Sequence, residues 1–315
     1  METFTIEPQG RFSLPEAALF GFGQRHEDAF DATMRLAFCV DGYHGQAGVS
    51  VTQAADGSVV GTIHGLAGPL GDRLAMVGTV RAQVARALSL DHDARGYEAV
   101  GDRDAVVARL LAAAPGLRPP LFHSPYEAAL WSVISQRRPA TTARRWRQCL
   151  SEAAGARFDV AGTVMWAAPT PEAIVELGTG GVAAVAGVEA PRAERVVGVA
   201  RAALAGDLDA ALLAGLPVER ARALLRTIPG IGPFYAELIL IRATGLTDLL
   251  PGEEPKLQAL VGRLYGLGGH ASPADVERVA EAWRPWRTWV SVLVRAAGAR
   301  LEAASRDPAI APSAA

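Results

Sequence analysis

Leu224-Leu225-Arg226-Thr227-Ile228-Pro229-Gly230-Ile231-Gly232-Pro233-Phe234-Tyr235-Ala236-Glu237 is the stretch that decides how this 315-residue chain reads. Its pattern predicts a helix over 218–227, a Pro-Gly-Ile-Gly turn, and a second helix over 233–244. Pro233 opens that second helix, where proline's missing amide costs nothing. Two glycines two residues apart let the main chain come close to an anion, with their amides facing outward at a helix N-terminus. Ile228 and Ile231 are placed to pin the turn to the helices beneath it. A hairpin of this kind grips a nucleic-acid backbone through main-chain amides and so needs few lysines. A plain tight connection between two helices is the other reading of the same residues.

The composition agrees with such a grip. Half of the residues are hydrophobic and a fifth are charged, enough for two domains with real cores. The formal charge is −2, and Lys256 is the one lysine among 31 basic residues. That balance argues against a histone-like packer and against a polybasic membrane binder. Charge is unevenly shared, however. Residues 1–115 hold nine basic and fourteen acidic side chains, so the remainder is net basic. Arginines 118, 137, 138, 144, 145 and 147 cluster there with one acid, Glu127.

Other classes drop out on residue type. Cys39 and Cys149 are the two cysteines, too few for a disulfide scaffold or a four-cysteine metal site. The six histidines (26, 44, 64, 92, 123 and 270) show no metal-ligand spacing on one helix face, and no metal site is expected. No Gly-Lys-Ser/Thr phosphate loop and no nucleophile elbow occurs. The start lacks a basic region before an apolar run, and no apolar stretch of about 18 residues is present. A cytoplasmic location is the expectation.

The texture changes along the chain. Runs at Thr3–Ile6, Arg35–Val40, Gly48–Gln53 and Val59–His64 read as strands, the last two joined at Asp56-Gly57, a strong hairpin signal. A helical pattern through Leu74, Val77, Val80, Val84 and Leu88 follows. From Asp102 on, helices are predicted over 103–113, 125–136, 140–154, 171–177, 190–205, 218–227, 233–244, 255–266, 273–282 and 286–302. The fold class is therefore α+β. A small antiparallel α/β domain is expected over 1–112, a helical region over 113–302 with the helix-hairpin-helix at 218–244, and a tail over 303–315.

These features resemble the helix-hairpin-helix DNA glycosylase superfamily, and the chain is similar to its 3-methyladenine DNA glycosylase II branch. Ser124-Pro125-Tyr126-Glu127-Ala128 through Ile134-Ser135-Gln136 resembles the family's first core helix, Pro229–Gly232 its hairpin, and Ala113–Arg118 the linker into the helical region. Trp283-Arg284-Pro285-Trp286-Arg287-Thr288 resembles a quite specific late element of the family.

The resemblance implies a fold, a reaction and a set of roles. The expected activity is a DNA N-glycosylase of base excision repair that flips out and releases an alkylated, 3-methyladenine-type purine. Double-stranded DNA with a damaged base is the expected partner, bound by a monomer. Cleavage builds positive charge on the sugar and needs a fixed carboxylate beside it. The family's aspartate falls at Glu254 here, in Thr247-Asp248-Leu249-Leu250-Pro251-Gly252-Glu253-Glu254-Pro255-Lys256. The longer side chain moves the carboxylate by roughly 1 Å, and a shift of that order can cost about 100-fold. Glu254 is the first candidate and Glu253 the second. Strand-cutting relatives carry a lysine where Phe234 stands, so a monofunctional, water-using enzyme is implied.

The same resemblance assigns the base pocket to Phe234, Tyr235, Trp286 and Trp131. It gives the hairpin residues Ile228, Gly230, Ile231 and Gly232, with Gln136, to DNA. Arg137 becomes the wedge that fills the vacated stack, while Arg138, Arg144 and Arg145 face phosphate. No cofactor is required, and an alkali metal ion at the hairpin carbonyls is the one left open. Two alternatives stand beside this reading. One is a glycosylase-like protein that binds lesions with weakened or lost catalysis; the other is a glycosylase for an unusual bulky adduct.

Overall fold

The computed structural model describes residues 1–20, 30–69 and 73–304. In chain order the elements are β1 (Glu2–Ile6), α1 (Leu14–Phe20), β2 (Met34–Cys39), β3 (Gln46–Gln53), β4 (Val59–Ala67) and α2 (Arg73–Ala87). Then come α3 (Val100–Arg103), α4 (Ala105–Ala113), α5 (Pro125–Ser135), α6 (Ala140–Ala154), β5 (Arg157–Val160) and β6 (Thr163–Trp166). The helices α7 (Pro171–Ala186), α8 (Ala190–Leu204), α9 (Ala210–Gly215), α10 (Val218–Arg226) and α11 (Pro233–Ala243) follow. The chain closes with α12 (Pro255–Leu264), α13 (Pro273–Ala280), a 3₁₀ turn over Glu281–Trp283, and α14 (Arg287–Ala304). Among the described residues no helix is long and apolar enough to cross a membrane. The fold class is α+β, as a run of short strands followed by long helical patterns predicts.

Two units divide the chain. The first is built from 1–7, 31–91 and 121–245, the second from 8–30, 92–120 and 246–315. In the first unit the sheet runs β1-β4-β3-β2, antiparallel throughout. Its β3–β4 hairpin turns at Asp56-Gly57: Gly57 takes φ +91°, and Asp56 Oδ1 accepts from the Ser58 amide at 2.9 Å. A second hairpin, β5–β6, was not visible in the sequence pattern. It presses Phe158 onto Gly48 and Gly65 of the sheet, where any Cβ would stand 2.7 Å from the ring. Glycine is needed there because the ring occupies the side-chain site.

Helix α5 is the centre of the first unit's helical layer. Ser124 caps it, accepting from the Glu127 amide, and Tyr126, Ala128, Ala129, Leu130, Val133 and Ile134 are all buried. A helix apolar on nearly every side belongs inside, and α6, α8 and α11 pack around it. The helix predicted over 171–177 ends where Gly178 leaves helical backbone (φ +64°), and helix resumes to Ala186.

The second unit has its own core of Leu257, Val261, Val107, Leu110, Trp283, Trp286, Trp289 and Leu293 from α4, α12 and α14 with the Trp283–Trp286 turn. Asp104 caps α4 and also accepts from Tyr265 (2.6 Å) and from the Trp283 indole (3.1 Å). Arg118, counted above with the basic cluster, is fully buried here. Its guanidinium donates to the carbonyls of Gln9, Gly10 and Arg11 and lies 5.8 Å over Trp289. It belongs to the core and leaves the exposed arginine face to residues 137–147.

Candidate functional site

The hairpin forms where the glycine and proline pattern places it. Helix α10 ends at Arg226, Gly230 takes φ +94°, and Gly232 is the cap residue before Pro233. Ile228 and Ile231 are buried beneath the turn, and the Ile231 amide closes it onto the Ile228 carbonyl at 3.0 Å. The amides of Gly230 and Gly232 have no partner among the described residues, and no side chain caps α11. Unpaired donors at the positive end of a helix form an anion site. Arg222 locks the two helices by a bidentate pair with Glu237 (2.7 and 2.9 Å).

The end of α5 meets this hairpin. Gln136 Nε2 donates to the Gly230 carbonyl within 3.4 Å, and its Oε1 accepts from Arg195 Nη1 at 2.9 Å. Gly230 rests on the Arg195 stem, so a Cβ there would stand 2.8 Å from Arg195 Cδ. The buried Arg192 donates to the carbonyls of Val133 (2.7 Å), Ile134 (3.0 Å) and Gln136 (3.2 Å), closing the C-terminus of α5. The Ile228 carbonyl takes the Ile231 amide and the Gly230 carbonyl takes Gln136.

Arg137, next in the chain, is exposed and held at φ +55°, a left-handed conformation unfavourable for a side chain other than glycine. Arg138 is exposed, stacks over Trp146 at 5.6 Å and reaches Glu189 at 3.4 Å. Arg144 and Arg145 stand exposed on α6. Arg147 lies over Trp131, which is half-buried. Phe234 is 60% exposed at the start of α11, with Tyr235 edge-on at 5.2 Å.

The carboxylates lie in the second unit. Glu254 caps α12, its Oε2 accepting from the Leu257 amide at 2.8 Å and pairing with Arg295 Nη1 at 2.6 Å. Glu253 is exposed and has no partner among the described residues. The loop before them is held by the late tryptophan element. Arg287 donates to both oxygens of Asp248 (2.8 and 3.0 Å), Arg284 to one (3.1 Å), and the Thr288 hydroxyl bridges the Leu249 amide and carbonyl at 2.8 Å. Asp248, the loop's one aspartate, is thereby used as an anchor. Trp286 is only 8% exposed, packed between Tyr97 and Trp289. Lys256 is exposed.

Arg192, Arg195 and Arg295 were not singled out in the sequence. Their roles depend on partners far away in the chain, and nothing in an arginine-rich helix marks them beforehand. Among the described residues no group of three or more His, Cys, Asp or Glu is disposed to hold a metal; His26 lies outside them.

No family model matches the chain. It is 32% identical over 219 residues to the probable bifunctional transcriptional activator/DNA repair enzyme AlkA of Mycobacterium tuberculosis, covering 68% of this chain and 41% of that protein. It is 29% identical over 183 residues to DNA-3-methyladenine glycosylase 2 of Escherichia coli, covering 58% and 61%. The chain thus spans less than two thirds of either relative. Among solved structures, the 3-methyladenine DNA-glycosylase from Archaeoglobus fulgidus superposes with a TM-score of 0.69 at 22% identity, covering 93% of this chain and 97% of that one. The Clostridium acetobutylicum 8-oxoguanine glycosylase/lyase bound to dsDNA gives 0.63 at 16%, covering 96% and 100%. At these identities the structural likeness is one of fold.

Proposed function

The chain belongs to the helix-hairpin-helix DNA glycosylase superfamily, and on that premise we propose that it is a monofunctional DNA glycosylase releasing alkylated purines. It acts as a monomer in the cytoplasm on double-stranded DNA carrying a damaged base. The observation that carries this reading is the hairpin at Ile228–Gly232, with two unpaired amides at the N-terminus of α11 and Gln136 tied to its apex. Main-chain amides take phosphate without regard to sequence, as a search for scattered lesions requires.

Each side chain then has a task. The Gly230 and Gly232 amides hold one phosphate, and Arg138, Arg144 and Arg145 hold others. Arg137 enters the stack when the damaged nucleotide leaves it, and Phe234 and Tyr235 offer aromatic faces to the flipped base. The carboxylate role falls to Glu254: positive charge grows on the sugar as the C1′–N bond breaks, and a carboxylate stabilises it. The bond's electron pair leaves with the base, and water adds at C1′, giving its proton to the carboxylate. Phe234 in place of a lysine supports hydrolysis without strand cutting.

The test is base release from methylated duplex DNA by the native protein, Glu254→Gln and Glu253→Gln. Release by native protein and Glu253→Gln, with loss in Glu254→Gln, is the expected result. A second reading, a lesion-binding protein with weakened chemistry, draws on the Glu254–Arg295 pair, because an ion-paired carboxylate supports less positive charge. Tight abasic-site binding with no base released by the native protein would establish it.

A further inference from the structure

Arg295 raises a question that the glycosylase reading does not answer. It projects from α14 and pairs with Glu254 at 2.6 Å, while the same oxygen takes the Leu257 amide at 2.8 Å. Neither side chain is far out in solvent, with 34% of Arg295 and 21% of Glu254 exposed. The extra methylene of glutamate provides the reach. An aspartate at 254 would draw the carboxylate back by roughly 1 Å, beyond close contact with the guanidinium.

We infer that Arg295 is a positioning residue that sets substrate specificity: by pairing with Glu254 it confines base release to purines that are already positively charged. The inference rests on the reading of Glu254 as the carboxylate at the sugar.

Cationic and neutral bases differ in where the charge goes. When a cationic purine leaves, the electron pair of the C1′–N bond neutralises the base, and the positive charge passes to the sugar. Charge is moved over a short distance, so a weak field at the sugar suffices. A neutral purine leaves as an anion, and charge is created on both fragments; it then needs a proton, and its transition state draws far more on an unopposed carboxylate. A guanidinium on the carboxylate offsets part of its field at a neighbouring third charge. The pair therefore slows neutral-base release much more than cationic-base release. It also holds the longer glutamate in one place, replacing the short tether of aspartate.

The test measures single-turnover release of 7-methylguanine, a cation, and hypoxanthine, a neutral base, from otherwise identical duplexes. Native protein is expected to favour 7-methylguanine by at least about 100-fold. Arg295→Gln narrows that ratio by about tenfold or more, chiefly by raising hypoxanthine release, and Arg295→Lys stays near the native ratio. Both bases are scored on one preparation, so partial unfolding cancels from the ratio. Should Arg295→Gln fail to fold, Glu254→Asp withdraws the carboxylate from the guanidinium and is expected to narrow the ratio in the same direction. An unchanged ratio in Arg295→Gln, with 7-methylguanine release still abolished in Glu254→Gln, would make Arg295 a structural ion pair and overturn the inference alone. Full release by Glu254→Gln would take the carboxylate role from Glu254 and the inference with it, leaving the glycosylase reading in place; no release of either base by the native protein would remove both.

Discussion

Arg195 donates to the side chain of Gln136 at 2.9 Å, and the hairpin apex at Gly230 lies against its stem. The residue that precedes the proposed wedge is thus fastened to the turn that carries the unpaired amides. One half-buried contact sets the spacing between the two elements proposed to face DNA.

Arg195→Ala is expected to weaken binding to undamaged and abasic duplexes alike, by about threefold to tenfold. Arg195 does not itself face phosphate in this account, so the slope of log affinity against log salt should stay unchanged. Fluorescence anisotropy across a salt series measures both quantities. A slope reduced by about one would mean that Arg195 is a phosphate ligand instead.

The two hairpin glycines should behave differently. Gly230 has φ +94° and a Cβ there would meet Arg195 Cδ at 2.8 Å, so Gly230→Ala is strained twice over. A loss of about 1–3 kcal/mol is expected in urea unfolding, together with weaker DNA binding. Gly232 has φ −86° and nothing within 4 Å of a Cβ, so Gly232→Ala should leave stability within about 0.5 kcal/mol. Any loss of DNA affinity in Gly232→Ala then reports close approach of phosphate to that backbone.

Asp248 connects the late tryptophan element to the carboxylate loop through Arg284 and Arg287. Asp248→Asn keeps the shape but removes the charge from a pair of guanidinium contacts. The expected result is a fall in kcat of about tenfold or more with little change in KM, because the loop leading to Glu254 loosens while the DNA grip lies elsewhere. Steady-state base release against DNA concentration separates the two; a rise in KM alone would show that Asp248 serves binding.

What could be read in the sequence was what local chemistry determines. Pro229-Gly230-Ile231-Gly232-Pro233 carries its own turn, Asp56-Gly57 its own hairpin, and Ser124-Pro125 its own helix start, so each appeared close to its expected place. The β5–β6 hairpin escaped because its reason for existing is Phe158 seated on Gly48 and Gly65, about a hundred residues away. Arg118 lies beside the basic cluster in sequence, yet the Gln9–Arg11 carbonyls take it into a core. The Glu254–Arg295 pair shows the same boundary. The departure from aspartate was legible, but the arginine that the longer side chain reaches comes from a helix forty-one residues further on.

Arg137 offers the sharpest separation of stability from function. Its backbone is held at φ +55° by the closed end of α5, where Arg192 occupies the carbonyls of Val133, Ile134 and Gln136. A left-handed conformation costs a non-glycine residue roughly 1–2 kcal/mol. Arg137→Gly should therefore stabilise the protein, by about 0.5–1 kcal/mol once the added freedom of the unfolded chain is counted. Arg137→Ala keeps the strain and should leave stability near native. Both remove the side chain proposed to enter the stack, so both should lower the ratio of abasic-site to undamaged affinity by about tenfold. On the proposed wedge role, the strain is kept because an exposed cation at this turn serves binding. Thermal unfolding and paired binding isotherms on the two variants check the whole argument, and an unchanged affinity ratio in both would take the wedge role away from Arg137.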